Sequence, residues 1–301
     1  MKDNARPLVS VVIPTYNHAH FLDRALQSVL DQTYTNWEAI IIDNHSIDNT
    51  DEVVHRFIDP RITLLKINNN GVIGASRNMG IRAAKGDWIA FLDSDDWWMP
   101  NKLQVCQSHI RDDIDVVYHD LKIVRDQRKF FGHKKIKSRQ LKKTVLADLL
   151  ISGNLIPNSS VLVRRRLLNR VGGIDEDVKM IASEDYNTWL RIAEVTDAFL
   201  YVSQCLGYYM DHSQGISRRD MSLSYSCAVA NFVDHLNEIQ RNSLRNTILY
   251  MSGRYHYLNN EYIKANDELK CCLKNANGRI RLRAIFMLTR IYFAKIFLSK
   301  S

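Results

Sequence analysis

The run Asp93-Ser94-Asp95-Asp96 follows directly on the apolar stretch from Trp88 to Leu92. A buried strand ending in alternate carboxylates places hard oxygen ligands in a cleft, and such ligands suit Mg²⁺ or Mn²⁺. A cation held there bridges two phosphates and neutralises the charge that builds on a leaving diphosphate. Alternate aspartates also occur in solvated acidic turns, and in phosphatases whose first Asp is phosphorylated. Those phosphatase sites follow the chain's first strand and continue with Thr or Val, whereas this run follows the fourth and continues into Trp97-Trp98. A second acidic pair, Glu184-Asp185, opens a helix-like segment, where the terminus favours a carboxylate and keeps it ionised. A carboxylate so placed can take the proton of an attacking hydroxyl. The plainer use is a helix N-cap, which Ser183 or Glu184 would fill as well.

The elements that must position these groups alternate in type. Val9 to Ile13 is a continuous β-branched run closed by Pro14, the pattern of a strand buried on both faces. Phe21, Leu22, Ala25, Leu26, Val29 and Leu30 recur at helical spacing, and Trp37 to Ile42 gives a second apolar strand ending at Asp43. Arg61 to Ile67 reads as a third strand, Ala75 to Ala84 as a helix and Trp88 to Leu92 as a fourth strand. The expected fold is α/β: a Rossmann-like, doubly wound, mostly parallel sheet whose ligands lie beyond the carboxyl ends of its strands, where Tyr16, Asp43 and Asp93 to Asp96 fall. Further on, Asn158 to Val163 is expected as a strand and Tyr186 to Val195 as a helix. From about Leu223 the chain turns helical, giving expected domains of 1–222 and 223–301. Gly253, Tyr262, Ala265 and Leu269 sit at the offsets of one tetratricopeptide-like hairpin, with Ser252 and His256 where large residues are expected.

These residues together resemble the family 2 glycosyltransferases, with their GT-A fold. Val9-Ser10-Val11-Val12-Ile13-Pro14-Thr15-Tyr16-Asn17 resembles that family's opening strand and nucleotide loop, and Gln32-Thr33-Tyr34 to Asp43 its second unit. Gly74-Ala75-Ser76-Arg77-Asn78 through Asp96 is similar to the stretch leading into the DxD motif. Val171-Gly172-Gly173-Ile174-Asp175-Glu176 and Ser183-Glu184-Asp185-Tyr186 to Trp189-Leu190-Arg191 match the acceptor-side segment. The resemblance implies a metal-dependent, inverting transferase that uses a nucleotide-diphospho-sugar, commonly a UDP-sugar, and a glycan or lipid-linked acceptor. It implies that Pro14, Thr15 and Tyr16 line the nucleoside pocket, that Asp43 binds the base, and that Arg77 lies near the nucleotide. Asp93 then lies near the ribose, with Ser94 beside it, Asp95 is the principal ligand of Mn²⁺ or Mg²⁺, and Asp185 is the catalytic base. His212 is a further candidate contact for the metal or the diphosphate. The chain departs from the family at Asp43-Asn44-His45-Ser46, where Asp-Asp-Gly-Ser is usual. One carboxylate is lost, and His45 stands in place of a glycine that tolerates positive φ.

Composition limits the alternatives. The chain has 301 residues, with 41 Lys and Arg against 33 Asp and Glu, a formal charge of +8. Ten of the cations lie between Lys122 and Lys143 against Asp126 alone, and six lie between Arg279 and Lys300 against no acid. Both stretches suggest an anionic partner. A nucleic-acid-binding or scaffold role leaves the acidic cleft without a use, and no stacking platform is interleaved with the cations. A sugar nucleotidyltransferase normally opens with a glycine-rich loop carrying Arg and Lys, which Pro14-Thr15-Tyr16-Asn17 lacks. Five cysteines in neither paired zinc spacing nor a disulfide framework suit a reducing cytosol. With no secretory leader and no span of ~18 apolar residues, a cytoplasmic protein is expected. The apolar and basic segment from Arg279 to Lys300 is expected to place it peripherally on an anionic membrane surface.

Overall fold

The computed structural model describes residues 7–125, 134–212, 219–273 and 278–298, so that 126–133, within the first basic stretch, lie outside the described residues. The chain divides into two compact units, Met1–Ser213 and Gln214–Ser301.

The first unit runs β1 (Val9–Thr15), α1 (Ala19–Leu30), β2 (Trp37–Asp43), α2 (Thr50–His55), β3 (Ile62–Lys66), α3 (Ile73–Ala83), β4 (Trp88–Phe91), β5 (Trp97–Trp98) and α4 (Lys102–Ser108). It continues with β6 (Val116–Arg125), β7 (Lys135–Ile136), α5 (Val145–Ser152), β8 (Leu162–Arg164), α6 (Arg165–Arg170), α7 (Glu184–Ala193) and β9 (Phe199–Asp211). The strands form one sheet in the order β3-β2-β1-β4-β8-β6-β9-β5, with β7 added to β6. The first four are parallel. Beyond them β8 runs antiparallel to both β4 and β6, while β6 and β9 are parallel. Every residue of β1 is buried, which is why its sequence is continuously apolar instead of alternating.

The segment from Asn158 to Val163, expected as one strand, is a 3-10 turn over Asn158–Ser160 followed by β8. Its polar side chains find partners, one of them local, that compete with a ladder. Ser160 Oγ donates to Pro157 O at 2.7 Å, and Ser159 Oγ accepts from the Asp93 N–H at 3.1 Å.

The second unit holds α8 (Ser222–Val229), α9 (Glu238–Leu258), α10 (Tyr262–Cys272) and α11 (Gly278–Leu298). A capping box between Asn237 and Gln240 starts α9. α9 and α10 form a hairpin whose close approach depends on Gly253, where a Cβ would lie 2.9 Å from Leu269 Cγ. Ser252 and His256 serve the hairpin through polar contacts. Ser252 Oγ donates to Glu268 at 2.8 Å, and His256 Nδ1 meets Glu261 at 2.9 Å.

The helix that carries Arg77 is seated on the sheet by a second glycine. A Cβ at Gly80 would lie 2.5 Å from Val12 Cγ1 and 2.8 Å from Ile42 Cδ1, both in fully occupied core. Gly80→Ala should therefore push α3 off β1 and β2 and destabilise the protein by about 1–3 kcal/mol, despite the better helix propensity of Ala. Thermal melts followed by circular dichroism test this, and an unchanged or higher midpoint would contradict the packing described.

Candidate active site

The parallel half of the sheet delivers its strand ends to one edge. Thr15, Asp43 and Lys66 stand side by side there in register. The Leu92 N–H donates to Val12 O at 3.1 Å, so the chain leaves β4 at the same edge and turns into Asp93. Pro14 and Thr15 finish β1 in the core, with Thr15 Oγ1 buried and unpaired. Tyr16 projects beyond them with 53% of its surface exposed.

Asp43 is sealed from solvent. It accepts from the backbone N–H and hydroxyl of Ser46 and from Lys66 Nζ at 2.6 Å, and Lys66 also pairs with Asp51. Burial works against the Lys66 ammonium, but the two aspartates outweigh it and raise its pKa. His45 adopts φ +51°, the conformation for which the lost glycine was suited. Lys66 was not among the residues singled out from sequence, although it ends a strand at the same edge as Asp43.

The carboxylate turn is tied down from several sides. Asp93 Oδ1 accepts from Arg77 Nη2 at 2.8 Å and from Asn158 Nδ2 at 3.0 Å. Ser94 Oγ and His18 Nδ1 are 2.9 Å apart. Asp95 Oδ2 lies 2.9 Å from His212 Nε2, and the His212 ring packs 5.1 Å from Phe21 and 6.0 Å from His18. Asp96 is buried and accepts from the Met210 N–H at 2.9 Å. Burial, then the neighbouring Asp93, pushes the Asp95 carboxyl above its ordinary range, against the pull of His212. Asp96 is raised further, by burial and then by Asp95 and Asp93. A cation held at this turn would relieve that mutual repulsion.

The donor set accommodates such a cation. Among the described residues no three metal-ligating side chains stand together, but Asp95 and His212 offer one carboxylate oxygen and one imidazole nitrogen. This mixed set suits Mn²⁺ better than oxygen-seeking Mg²⁺, and it leaves the remaining positions to phosphate oxygens and water.

Glu184 and Asp185 occupy the first turn of α7, and Ser183, at the N-cap position, makes no side-chain capping bond. They divide their tasks. Glu184 is buried and paired to Arg77 Nη1. Asp185 is half-buried, and its Oδ2 accepts from Asn154 Nδ2 at 3.1 Å. Burial, then Glu184 beside it, lifts the Asp185 carboxyl to about 7, with Arg77 pulling the other way. Arg77 is 3% exposed. One guanidinium thus joins the carboxylate turn after β4 to the acidic pair of α7, bringing Asp93, Asp95 and Asp185 into one region. His18, Asn154 and Asn158 are the further polar residues of this region that sequence reasoning missed. Of these, His18 alone carried a usable signal, its place in the loop after the first strand.

Residues 10–172 match the profile described as Glycosyl transferase family 2, more than half of the chain. The chain belongs to that family. Among curated relatives it is 35% identical over 189 residues to the UDP-Glc:alpha-D-GlcNAc-diphosphoundecaprenol beta-1,3-glucosyltransferase WfgD of Escherichia coli, covering 62% of this chain and 69% of that one. It spans only 41% to 63% of the length of four other relatives. Solved structures with the same fold include Staphylococcus aureus TarS 1-349 in complex with UDP-GlcNAc, at 17% identity and TM-score 0.63, covering 94% of this chain and 89% of that one. The mannosyltransferase PcManGT from Pyrobaculum calidifontis, in complex with GDP-Man and Mn²⁺, superposes with TM-score 0.64 at 17% identity over 97% of this chain and 81% of its own. The α/β architecture is therefore that of the GT-A glycosyltransferases, and the protein is a glycosyltransferase.

The Arg77 bridge makes a stability prediction. Removing one partner of a buried ion pair costs about 3–5 kcal/mol, because the other charge is stranded. Arg77→Met should lower the melting temperature by on the order of 10 °C. Arg77→Met/Glu184→Leu removes the more deeply buried of the two stranded carboxylates, leaving the part-exposed Asp93, and should recover part of the loss. Equal melting of the single variant and the wild type would show that the bridge contributes nothing.

Proposed function

We propose that the protein is an inverting, metal-dependent transferase that moves a sugar from a UDP-sugar to a hydroxyl of a lipid-linked glycan in cell-envelope polysaccharide synthesis, working at the cytoplasmic face of the membrane. The observation that carries this reading is the pair of ion pairs made by Arg77, which holds the Asp95 turn and Asp185 in one region. UDP as the donor's nucleotide is supported by the donor named for WfgD and by the UDP-GlcNAc complex of TarS. The lipid-diphosphate acceptor is supported by the acceptor named for WfgD.

In this reading Tyr16 offers its exposed ring to the uracil, while Pro14 and Thr15 form the wall behind it. The unpaired Thr15 hydroxyl is free to take a hydrogen bond from the nucleoside. Asp43 is reached only by displacing Ser46 or Lys66, so it sets the shape of the pocket as much as it contacts the base. Asp93, with Ser94 behind it, faces the ribose, and Arg77 holds Asp93 in that orientation. Asp95 and His212 would hold Mn²⁺ or Mg²⁺, which supplies charge neutralisation at the leaving diphosphate. Asp185 accepts the proton of the acceptor hydroxyl as that oxygen attacks the anomeric carbon from the side opposite the diphosphate, inverting the centre.

Two measurements test this reading. Transfer from a UDP-sugar should vanish in excess chelator and return on adding Mn²⁺. Asp95→Ala should weaken Mn²⁺ binding measured by calorimetry in the presence of UDP by at least tenfold, and an undiminished rate in chelator would remove the metal from the mechanism.

For the base, only the ionised Asp185 can accept a proton. With its pKa lifted to about 7, kcat should fall about tenfold per pH unit below 7 and level off above it. Asp185→Asn should keep UDP-sugar affinity and lose a factor on the order of 10² or more in kcat. A variant that transfers at the wild-type rate would move the role to another carboxylate.

A further inference from the structure

We propose that the outward face of α11 docks on an anionic lipid bilayer. The proposal rests on the reading above only in that a lipid-linked acceptor gives the protein a reason to be there. α11 contributes one side to the core of the second unit. Ala284 and Ile291 are buried, and Ile280, Met287 and Leu288 pack beside them against the cluster of Tyr250, Ala265, Leu269 and Cys272. At about 100° per residue these five side chains share a sector of about 100°, which is all that the hairpin of α9 and α10 covers.

The rest of the helix is not the polar surface that such a stripe normally leaves. Leu282, Phe286, Tyr292 and Phe293 are 71%, 62%, 63% and 53% exposed, and Ile285 is exposed with them. By the same arithmetic they form a second, mainly apolar sector of about 120°, facing away from the first, whose one polar member, Thr289, turns its hydroxyl back onto the Ile285 carbonyl at 2.9 Å. Arginines border it on both sides, Arg281 on one and Arg283 and Arg290 on the other, with the Arg290 guanidinium 5.9 Å from the Phe286 ring. No acidic residue occurs anywhere in α11. The side chains of Arg279 and of residues 294–298, which continue the pattern in sequence, lie outside the described ones.

An apolar strip of leucine and aromatic rings rimmed by cations matches the acyl boundary and the phosphate layer of an anionic bilayer in the right order. A second copy of the chain would bring the same cations against one another, which like-charge repulsion opposes. Among the described residues no helix is long and apolar enough to cross a membrane. The geometry is that of a helix lying in the plane of the interface.

The test is co-sedimentation of the full chain with phosphatidylglycerol-containing vesicles and with pure phosphatidylcholine vesicles at low salt. The wild type should bind the anionic vesicles. Arg281→Gln/Arg283→Gln/Arg290→Gln should partition more weakly by about fivefold per arginine removed, and Leu282→Ser/Phe286→Ser/Phe293→Ser by at least tenfold. All three variant positions in each set are at the surface, so circular dichroism melts should match the wild type. UDP-sugar affinity measured without vesicles should be the same in all three proteins. A wild type that binds no nucleotide-sugar yet sediments with anionic vesicles would sink the donor reading and leave this one standing. No binding to anionic vesicles, equal partitioning of variants and wild type, or a dimer that the serine variant converts to monomer would overturn the proposal, the last by showing that a second copy covers the face.

Discussion

Arg77 is the constraint on which the site depends. Two carboxylates 91 residues apart in sequence, Asp93 and Glu184, converge on one buried guanidinium. Arginine suits this position because its planar fork reaches two partners in fixed directions and stays charged when desolvated. Lysine would offer a point charge that burial neutralises more readily. Two negative charges against one positive leave the group anionic, and Asp95, Asp96 and Asp185 add to the imbalance. Burial first, and the neighbouring carboxylates after it, push these three carboxyls above their ordinary range. In the proposed reading a cation would offset this excess of negative charge.

Such a charged turn needs mechanical support, and the sheet supplies it through aromatic stacking. Arg24 of α1 lies 3.5 Å over the Trp97 ring, Trp97 stacks on Tyr208 at 4.8 Å, and Lys122 lies 5.5 Å from the Tyr208 ring. α1, β5, β9 and β6 are thereby joined in one column immediately after the acidic turn. Arg24 Nη2 also donates to the Asp95 carbonyl at 3.3 Å, so the column is fastened to the acidic turn itself. Asp96 adds a second anchor through Met210 of β9, two residues before His212. The distance between Asp95 and His212 is thus set by sheet pairing instead of by a free loop, which is how a scaffold holds a catalytic geometry.

The parallel half of the fold was readable in the sequence because burial on both faces leaves uninterrupted apolar runs, and the strand ends follow from where those runs stop. Asp43 and Asp93 were located by that rule alone. The mixed half was less readable. β8 has only three residues, and the polar segment before it forms a turn because Ser159 and Ser160 find partners within reach, a competition that propensity does not register. Lys66 and His18 lay in plain view at the ends of elements but belong to residue types with common surface uses. Asn154 and Asn158 carry no sequence signal at all, since their value lies in which carboxylate they reach. The pairing of Glu184 with Arg77, and the division of labour it leaves to Asp185, depends on a contact across 107 residues that no local pattern contains.

Some of the places where the chain breaks ordinary folding rules lie in the same region. Thr15 Oγ1, Arg77 Nε, Asn158 Oδ1 and Glu184 Oε2 are buried polar atoms without partners, each costing about 1–3 kcal/mol if left dry. His45 and Asn17 hold positive φ in the loops that follow β2 and β1, a conformation that disfavours side chains other than glycine by about 1–2 kcal/mol. Core positions of the same sheet show no comparable strain in β1, whose residues are all buried and apolar apart from Ser10 and Thr15. Ser10 is satisfied by Glu38 and by the Gly86 N–H, and Thr15 alone, at the end that faces the site, is not. The two hydroxyls of β1 thus differ: Ser10, at the far end, is doubly bonded within the protein, and Thr15, at the end beside the acidic turn, is the hydroxyl that the proposed reading gives to the nucleoside.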